Sequence, residues 1–364
     1  MDPTPATTLP PWRDAALALA VDRVRRIDAE VADFPHITER GRWRTTPDGV
    51  WTGGFWAGLL WLAWTLTRDP DLRASARRRT DGLLPRIHDA HNHDLGFMFY
   101  PSAVCGWRHT GDPRYRDAAI TAARSLAGQF NADGGYIPGW GFFGGTEWQG
   151  QVLVDTLMNL PLLAWAAVES GDASLVGVAH RHADTTLRHL LRADGSVYHM
   201  FRFDTANGAP LGGDTYQGAG PESTWTRGQA WGLTGLAMLG AMTGNAAYGA
   251  AGIRIADRFL SSLPPARIPP WDFDDRRPDA PRDASAGAIA AYGLLRLARL
   301  TGDRIHRDEA VRLLDALWQR CANRGEEGGL LLHATADLPH GLGIDESTMY
   351  GDYYYLKALA ALAD

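Results

Sequence analysis

Cysteine is nearly absent from this chain. Two occur among 364 residues, Cys105 and Cys321, which excludes a disulfide framework and leaves room for a single bridge at most. A basic excess is missing as well: 36 Lys and Arg stand against 42 Asp and Glu, a net charge of −6. Nucleic acid requires a basic face and is not expected as a partner. No window approaches the roughly 18 uninterrupted apolar residues of a spanning helix, so no membrane partner is expected. The opening stretch MDPTPATTLPPWRDAALALAVDRVRR has acid and proline where a signal peptide needs a basic region followed by an apolar core. The expectation is a cytoplasmic protein whose residues 1–11 form a flexible extension. No P-loop or Rossmann glycine pattern occurs in a strand–helix context, and G-x-S-x-G is absent, so no cofactor is expected.

What is abundant is tryptophan, 14 residues, and glycine, 41. A short signal also recurs: TRDPDL at 67–72, TGDPRY at 110–115, SGDASL at 170–175, TGNAAY at 243–248 and TGDRIH at 301–306. In each, Gly or Arg ends one helix and the following Asp or Asn caps the next through its side-chain oxygen. Segments after the turns are amphipathic. Those before them, such as FWAGLLWLAWTL and DASAGAIAAYGLLRLARL, are apolar nearly all round and rich in small residues, the mark of enclosed helices.

The count is six amphipathic helices, near 12–32, 71–88, 113–129, 173–192, 246–262 and 304–321, and six enclosed ones, near 52–66, 95–109, 150–168, 224–242, 284–300 and 346–362. Six outer–inner hairpins of about 61 residues each predict an all-α, (α/α)6 toroid, with the whole chain 1–364 as one domain. No strand-rich block or low-complexity linker interrupts the pattern. Inner-to-outer turns are short, whereas the outer-to-inner connections 33–51, 130–149, 193–223, 263–283 and 322–345 are long. Long loops on one face of a rigid scaffold usually carry binding and chemistry. These hold Trp43, Trp140, Trp148, His199, Gln217 and Trp271, so a pocket is expected at that mouth.

Asp155 stands inside an enclosed segment, QVLVDTLMNLPLL. Desolvation raises the pKa of a buried carboxyl and suits it to general acid work near neutral pH; a structural Asp bonded to backbone or Arg is the bland alternative. Asp94, in HDLGF, precedes it by 61 residues, one repeat period, so the two carboxylates are expected to face the same mouth and split their pKa values. Asp94 also suits a helix N-cap. The stretch HDAHNHD at 88–94 resembles a metal cluster of His88, His91 and His93. Its spacing fits no standard helical ligand pair and a solvated loop explains it better, so no metal is expected. In ESTWTRGQAWG at 222–232, Arg227 lies between Trp225 and Trp231, and burying it requires an anion, either Glu222 or a substrate carboxylate.

At this point the residues resemble the unsaturated glucuronyl hydrolases, glycoside hydrolase family 88. The stretches that carry the resemblance are WTGGFWAGLLWLAW, HDLGFMFYPS, DTLMNLPLL, ESTWTRGQAWGL, DASAGAIAAYGLL and GDYYYLKAL, in family order over about nine-tenths of the chain. The resemblance implies an (α/α)6 barrel that removes a Δ4,5-unsaturated uronate from the non-reducing end of lyase-generated oligosaccharides. It implies hydration of the C4=C5 vinyl ether with Asp155 as general acid and base and Asp94 as its partner. Trp51 would stack on the sugar ring, with His199, Gln217, Trp225, Arg227 and Trp231 forming the uronate pocket. The chain departs from the family pattern at Ala57, often Pro, and at Tyr350 and Lys357, where Trp and an acid are common; these changes leave the central chemistry alone and bear on the subsite for the second sugar.

Four other readings remain open at this stage. Unsaturated rhamnogalacturonyl hydrolysis would use the same ring and an equivalent Asp pair. A conventional inverting glycosidase would need carboxylates roughly 6.5–9.5 Å apart and would cleave saturated sugars. A sugar epimerase would depend on His199 as a proton carrier. A non-catalytic sugar-binding ring would use the same tryptophans without turnover. Oligomeric state is not legible.

Overall fold

The structure, a computed structural model, describes residues 9–141 and 145–363. Most of the expected flexible extension, residues 1–8, lies outside the described residues. Among those described, the outer helices are α1 (Arg13–Glu30), α3 (Pro70–Leu83), α6 (Pro113–Ala127), α8 (Ala173–His189), α10 (Ala246–Ser262) and α12 (Arg304–Arg320). They alternate with inner helices α2 (Gly53–Thr67), a broken pair α4 (Leu95–Phe99) and α5 (Cys105–Thr110), α7 (Leu160–Ser170), α9 (Thr226–Thr243), α11 (Ala284–Thr301) and α13 (Met349–Ala361). Helix α13 packs against α1, α2 and α11 and closes the ring. The fold is an (α/α)6 barrel, and its inner helices are buried almost all round. Cys105 and Cys321 are both free thiols.

The recurring turn explains why the ring forms. Gly111, Gly171, Gly244 and Gly302 end inner helices with φ of 65°, 72°, 69° and 73°, the left-handed region glycine enters freely. Arg68 occupies the same position with φ 61°, at a strain of roughly 1 kcal/mol for a residue with a Cβ. The next residue then caps the outer helix: Asp69 accepts from Asp71 N, Asp112 from Arg114 N, Asp172 from Ser174 N, Asn245 from Ala247 N and Asp303 from Ile305 N. The Thr or Ser that opens each signal donates back to the carbonyl four residues earlier, as Thr110 does to Gly106 at 2.7 Å and Thr301 to Leu297 at 2.9 Å. Helix stop, turn and helix start are thus written in three consecutive side chains.

Two inner segments depart from the expected continuous helices. The segment expected as a helix from 150 instead begins as strand β3 (Gln151–Leu153), runs through a 3-10 turn at Val154–Met158, and becomes α7 only at Leu160. Pro161 is the reason: it has no N–H to donate backwards and its ring clashes with the carbonyl four residues earlier, so it belongs at a helix start. Asp155 therefore sits in the 3-10 turn and not in mid-helix. In the 95–110 segment, Pro101 likewise interrupts the ladder, and Tyr100–Val104 form a π-turn. The carbonyls of Phe97 and Met98 there lie against Gly54 of α2, where any Cβ would collide with them.

The long loops also hold more β-structure than expected. Strand β1 (Phe34–Glu39) pairs with β2 (Arg42–Thr46), β3 with β4 (Met200–Phe203), β4 with β5 (Pro210–Asp214), and β6 (Ala334–Asp337) with β7 (Leu342–Glu346), all antiparallel. These small sheets stiffen one rim of the ring.

Candidate active site

A cavity of about 450 Å³ lies among those loops. All eight residues singled out from the sequence line it: Asp94, Asp155, Trp51, His199, Gln217, Trp225, Arg227 and Trp231. Trp140 and Trp148 line it too, as expected of the mouth. Trp43 and Trp271 are not among its lining residues, and the Trp271 indole instead donates to Asp275 at 2.7 Å.

The β3–β4 pairing positions one wall. Leu153 pairs with Met200, and Val154 N donates to the His199 carbonyl at 3.0 Å, so Asp155 and His199 leave the same sheet end side by side. Asp94 arrives from the neighbouring hairpin. Its helix meets the Asp155 segment where Gly96 lies against Asn159, an approach that leaves no room for a Cβ. Asp94 occupies the N-cap position of α4 but makes no side-chain capping bond. Its Oδ1 instead accepts from Asn159 Nδ2 at 3.3 Å and lies 3.5 Å from His93 Nε2.

Burial pushes the Asp155 carboxyl up to about 7; the neighbouring Asp94 charge adds to this, against the residue's own backbone N–H and Arg227. Oδ1 of Asp155 is buried without a hydrogen-bonding partner among the described residues. Asp94 is also raised, chiefly by burial, while His93, Asn159 and Arg86 pull the other way. One carboxyl of this pair is thus poised to hold a proton at neutral pH and to deliver it into the cavity.

His199 has a fixed tautomer. The backbone N–H groups of Tyr216 and Gln217 point at Nδ1 from 3.2 and 3.3 Å, so that nitrogen accepts and the hydrogen resides on Nε2. Burial, reinforced by Arg227 and His93, lowers its pKa to about 3. Nε2 has no partner among the described residues. His199 is a neutral hydrogen-bond donor in the cavity, a poor fit for the proton carrier an epimerase needs.

Arg227 is not anchored by Glu222, the protein anion expected for it. Glu222 is exposed at the surface, where it accepts from Tyr198 OH at 2.9 Å. The Arg227 guanidinium meets Asp283 Oδ2 at 2.7 Å and the carbonyls of Thr335 and Ala336, and Asp283 caps α11 with its other oxygen. A buried charge needs an anion, and the fold brings in Asp283, 56 residues away, rather than the nearby Glu222. Gln217 Nε2 also donates to the Ala336 carbonyl, at 3.0 Å.

The aromatic walls are braced from behind. Trp51 stacks on Tyr350 with centroids 5.2 Å apart, Arg227 lies 4.5 Å from the Trp225 ring centre, and Trp231 packs on Phe97 at 5.0 Å. Tyr350, one departure from the family pattern, therefore lies under Trp51. Lys357, the other, is not among the lining residues and donates to Tyr353 OH at 2.7 Å within a tyrosine cluster. The histidines of 88–94 diverge: His91 packs on Trp140 at 4.6 Å, and His93 accepts from Trp140 N at 3.2 Å. Among the described residues no group of three or more His, Cys, Asp or Glu converges as a metal site. Nor does any helix there have the length and apolarity to cross a membrane.

Sequence reasoning missed Asn159, Asp283 and the Tyr216 wall. Asn159 had a readable signal, a polar residue inside the apolar run DTLMNLPLL, which must find partners when buried.

Comparison with known proteins agrees with this fold. The model of Glycosyl Hydrolase Family 88 matches residues 22–242. An unsaturated glucuronyl hydrolase of Bacillus sp. strain GL1 is 38% identical over 341 residues, 90% of each chain. An unsaturated chondroitin disaccharide hydrolase of Streptococcus pyogenes is 34% identical over 358 residues, 94% of this chain and 89% of that one. The crystal structure of unsaturated glucuronyl hydrolase from Bacillus sp. GL1, responsible for the degradation of glycosaminoglycan, superposes with a TM-score of 0.92 at 36% identity, covering 96% of both chains. The chain is therefore a glycoside hydrolase. It belongs to Glycosyl Hydrolase Family 88.

Proposed function

We propose that this enzyme is an unsaturated glucuronyl hydrolase that acts on the Δ4,5-unsaturated uronate at the non-reducing end of lyase-generated oligosaccharides. The observation that carries the reading is the Asp155 carboxyl: desolvated, raised to about 7, with one oxygen unpaired in a tryptophan-lined cavity beside a second carboxylate. Protonating a vinyl carbon needs such a neutral acid. Asp155 gives its proton to C4, and positive charge develops at C5 and the ring oxygen, where ionised Asp94 stabilises it. Water adds at C5 and returns a proton to Asp155. The resulting hemiketal opens by breaking C5–O5, C5 becomes a ketone, and the hemiacetal left at C1 collapses to an aldehyde as the second sugar leaves with the hydroxyl proton. Trp51, Trp225 and Trp231 hold the flat half-unsaturated ring, with His199 Nε2–H, Gln217 and Arg227 as its polar contacts. The similarity to an unsaturated glucuronyl hydrolase and an unsaturated chondroitin disaccharide hydrolase supports this substrate class. The two free thiols suit a cytoplasmic location, downstream of a lyase.

The test is loss of the ultraviolet absorbance of the conjugated alkene. Wild type and Asp155→Asn are each incubated with lyase-generated glucuronyl disaccharides, rhamnogalacturonan products and saturated glycosides, the last of which have no alkene and are followed by release of reducing sugar. Loss on the glucuronyl substrates with wild type alone is expected. Turnover only of rhamnogalacturonan products or only of saturated glycosides would replace this reading with the corresponding activity.

A further inference from the structure

Asn159 is fully buried and touches both carboxylate segments. Its own N–H donates to the Thr156 carbonyl at 2.9 Å, inside the turn that carries Asp155. Its side chain reaches the other hairpin. Oδ1 accepts the Phe97 N–H at 2.7 Å, and since a backbone N–H can only donate, the amide orientation is fixed with Nδ2 toward Asp94 Oδ1 at 3.3 Å. The same logic fixes His93. Its Nδ1 takes the Trp140 N–H at 3.2 Å, and its Nε2 lies 3.5 Å from the same Asp94 oxygen. The Asn159 amide donates to that oxygen and His93 acts on it through charge, and both favour the anion.

We infer that Asn159 is a positioning residue: by donating to Asp94 it holds that carboxylate ionised, and the proton of the pair is thereby kept on Asp155. Only the catalytic consequence rests on the proposed hydration reading; the placement of the proton does not. The charged and titratable groups that face the pair are His93 and Arg86 on the Asp94 side, and Arg227 and neutral His199 on the Asp155 side. None of them donates to Asp94 from the Asp155 segment, as Asn159 does. Without the Asn159 amide, Asp94 accepts a proton more readily. Asp155 then feels less negative charge and releases its own at lower pH.

Carboxyl ¹³C titration of wild type and Asn159→Ala reads this without substrate. The Asp155 transition is expected to move to lower pH in the variant and the Asp94 transition to higher pH. In turnover, the bell-shaped profile of kcat/KM is expected to narrow from both sides, with the loss smallest at the optimum and growing to about three- to tenfold on either flank. A purely structural role would scale activity down equally at every pH; that result, or unmoved titrations in folded Asn159→Ala, overturns the inference. Asn159→Ser, which leaves a smaller void, carries the same expectation if the alanine variant does not fold. Should neither fold, the wild-type titration decides: Asp94 must ionise at lower pH than Asp155, and the reverse order overturns the inference. If no unsaturated substrate is consumed, the hydration reading fails, while the titration still decides the role of Asn159.

Discussion

Asp155 in the cavity and Asp352 behind its wall are both buried carboxyls pushed up to about 7, in each case chiefly by burial. Asp352 lies on α13, where Oδ2 accepts Leu330 N at 2.9 Å and Oδ1 accepts Leu331 N at 3.0 Å, tying the last long loop to the ring. Asp155 has an oxygen with no such partner and opens onto the cavity. A perturbed pKa therefore does not mark the chemistry in this molecule. What separates the two is an unsatisfied oxygen in the cavity, the feature on which the proposed chemistry rests, whereas the satisfied twin serves as a staple.

The comparison is broken most severely by Asp155→Asn, which should lower kcat by about 10²–10⁴-fold in the absorbance assay. The same variant should melt no lower than wild type at pH 8, because it removes a buried charge whose Oδ1 has no hydrogen-bonding partner among the described residues. A third buried carboxylate, Asp283, takes the comparison further. Asp283→Ala strands the Arg227 guanidinium and should destabilise by about 3–5 kcal/mol in denaturant titration. Asp352→Asn should cost about 1–3 kcal/mol, since its amide turns an N–H toward a backbone N–H, while kcat stays within about threefold of wild type. If Asp352→Asn abolished turnover and left stability intact, the division of labour drawn above would be wrong.

The smallest effect is that of pH. Both carboxyls have a folded-state pKa above the ordinary value of 3.8, so the folded protein retains protons that the unfolded chain would release. Their stabilising contribution is complete below about pH 4 and is lost as the pH climbs to about 7. Stability should fall over that window, and Asp155→Asn should flatten part of the slope. Turnover follows the same proton: kcat/KM should drop about tenfold per unit above about pH 7, as Asp155 gives up the proton it must deliver.

Much of this was legible beforehand. The turn signals at 67–72, 110–115, 170–175, 243–248 and 301–306 gave the hairpin boundaries because each step is local: a left-handed stop, a cap and a hydroxyl bond all lie within a few residues. The eight residues singled out line one cavity because the ring places equivalent positions of successive hairpins at the same rim. The Pro161 break was readable and overlooked. The partner of Arg227 was not readable, since Asp283 and Glu222 are equally plausible anions until the chain is folded.

The sequence alone determined the helices, their inner or outer character and the side from which the site would be built, because helical period, caps and turn chemistry act over a few residues. The tertiary structure decided which donors meet which acceptors. It placed Asn159 on Asp94, gave Asp283 to Arg227, put Tyr350 beneath Trp51 and left one oxygen of Asp155 alone. Those outcomes depend on distances between segments far apart in the chain, and only the closed ring sets them.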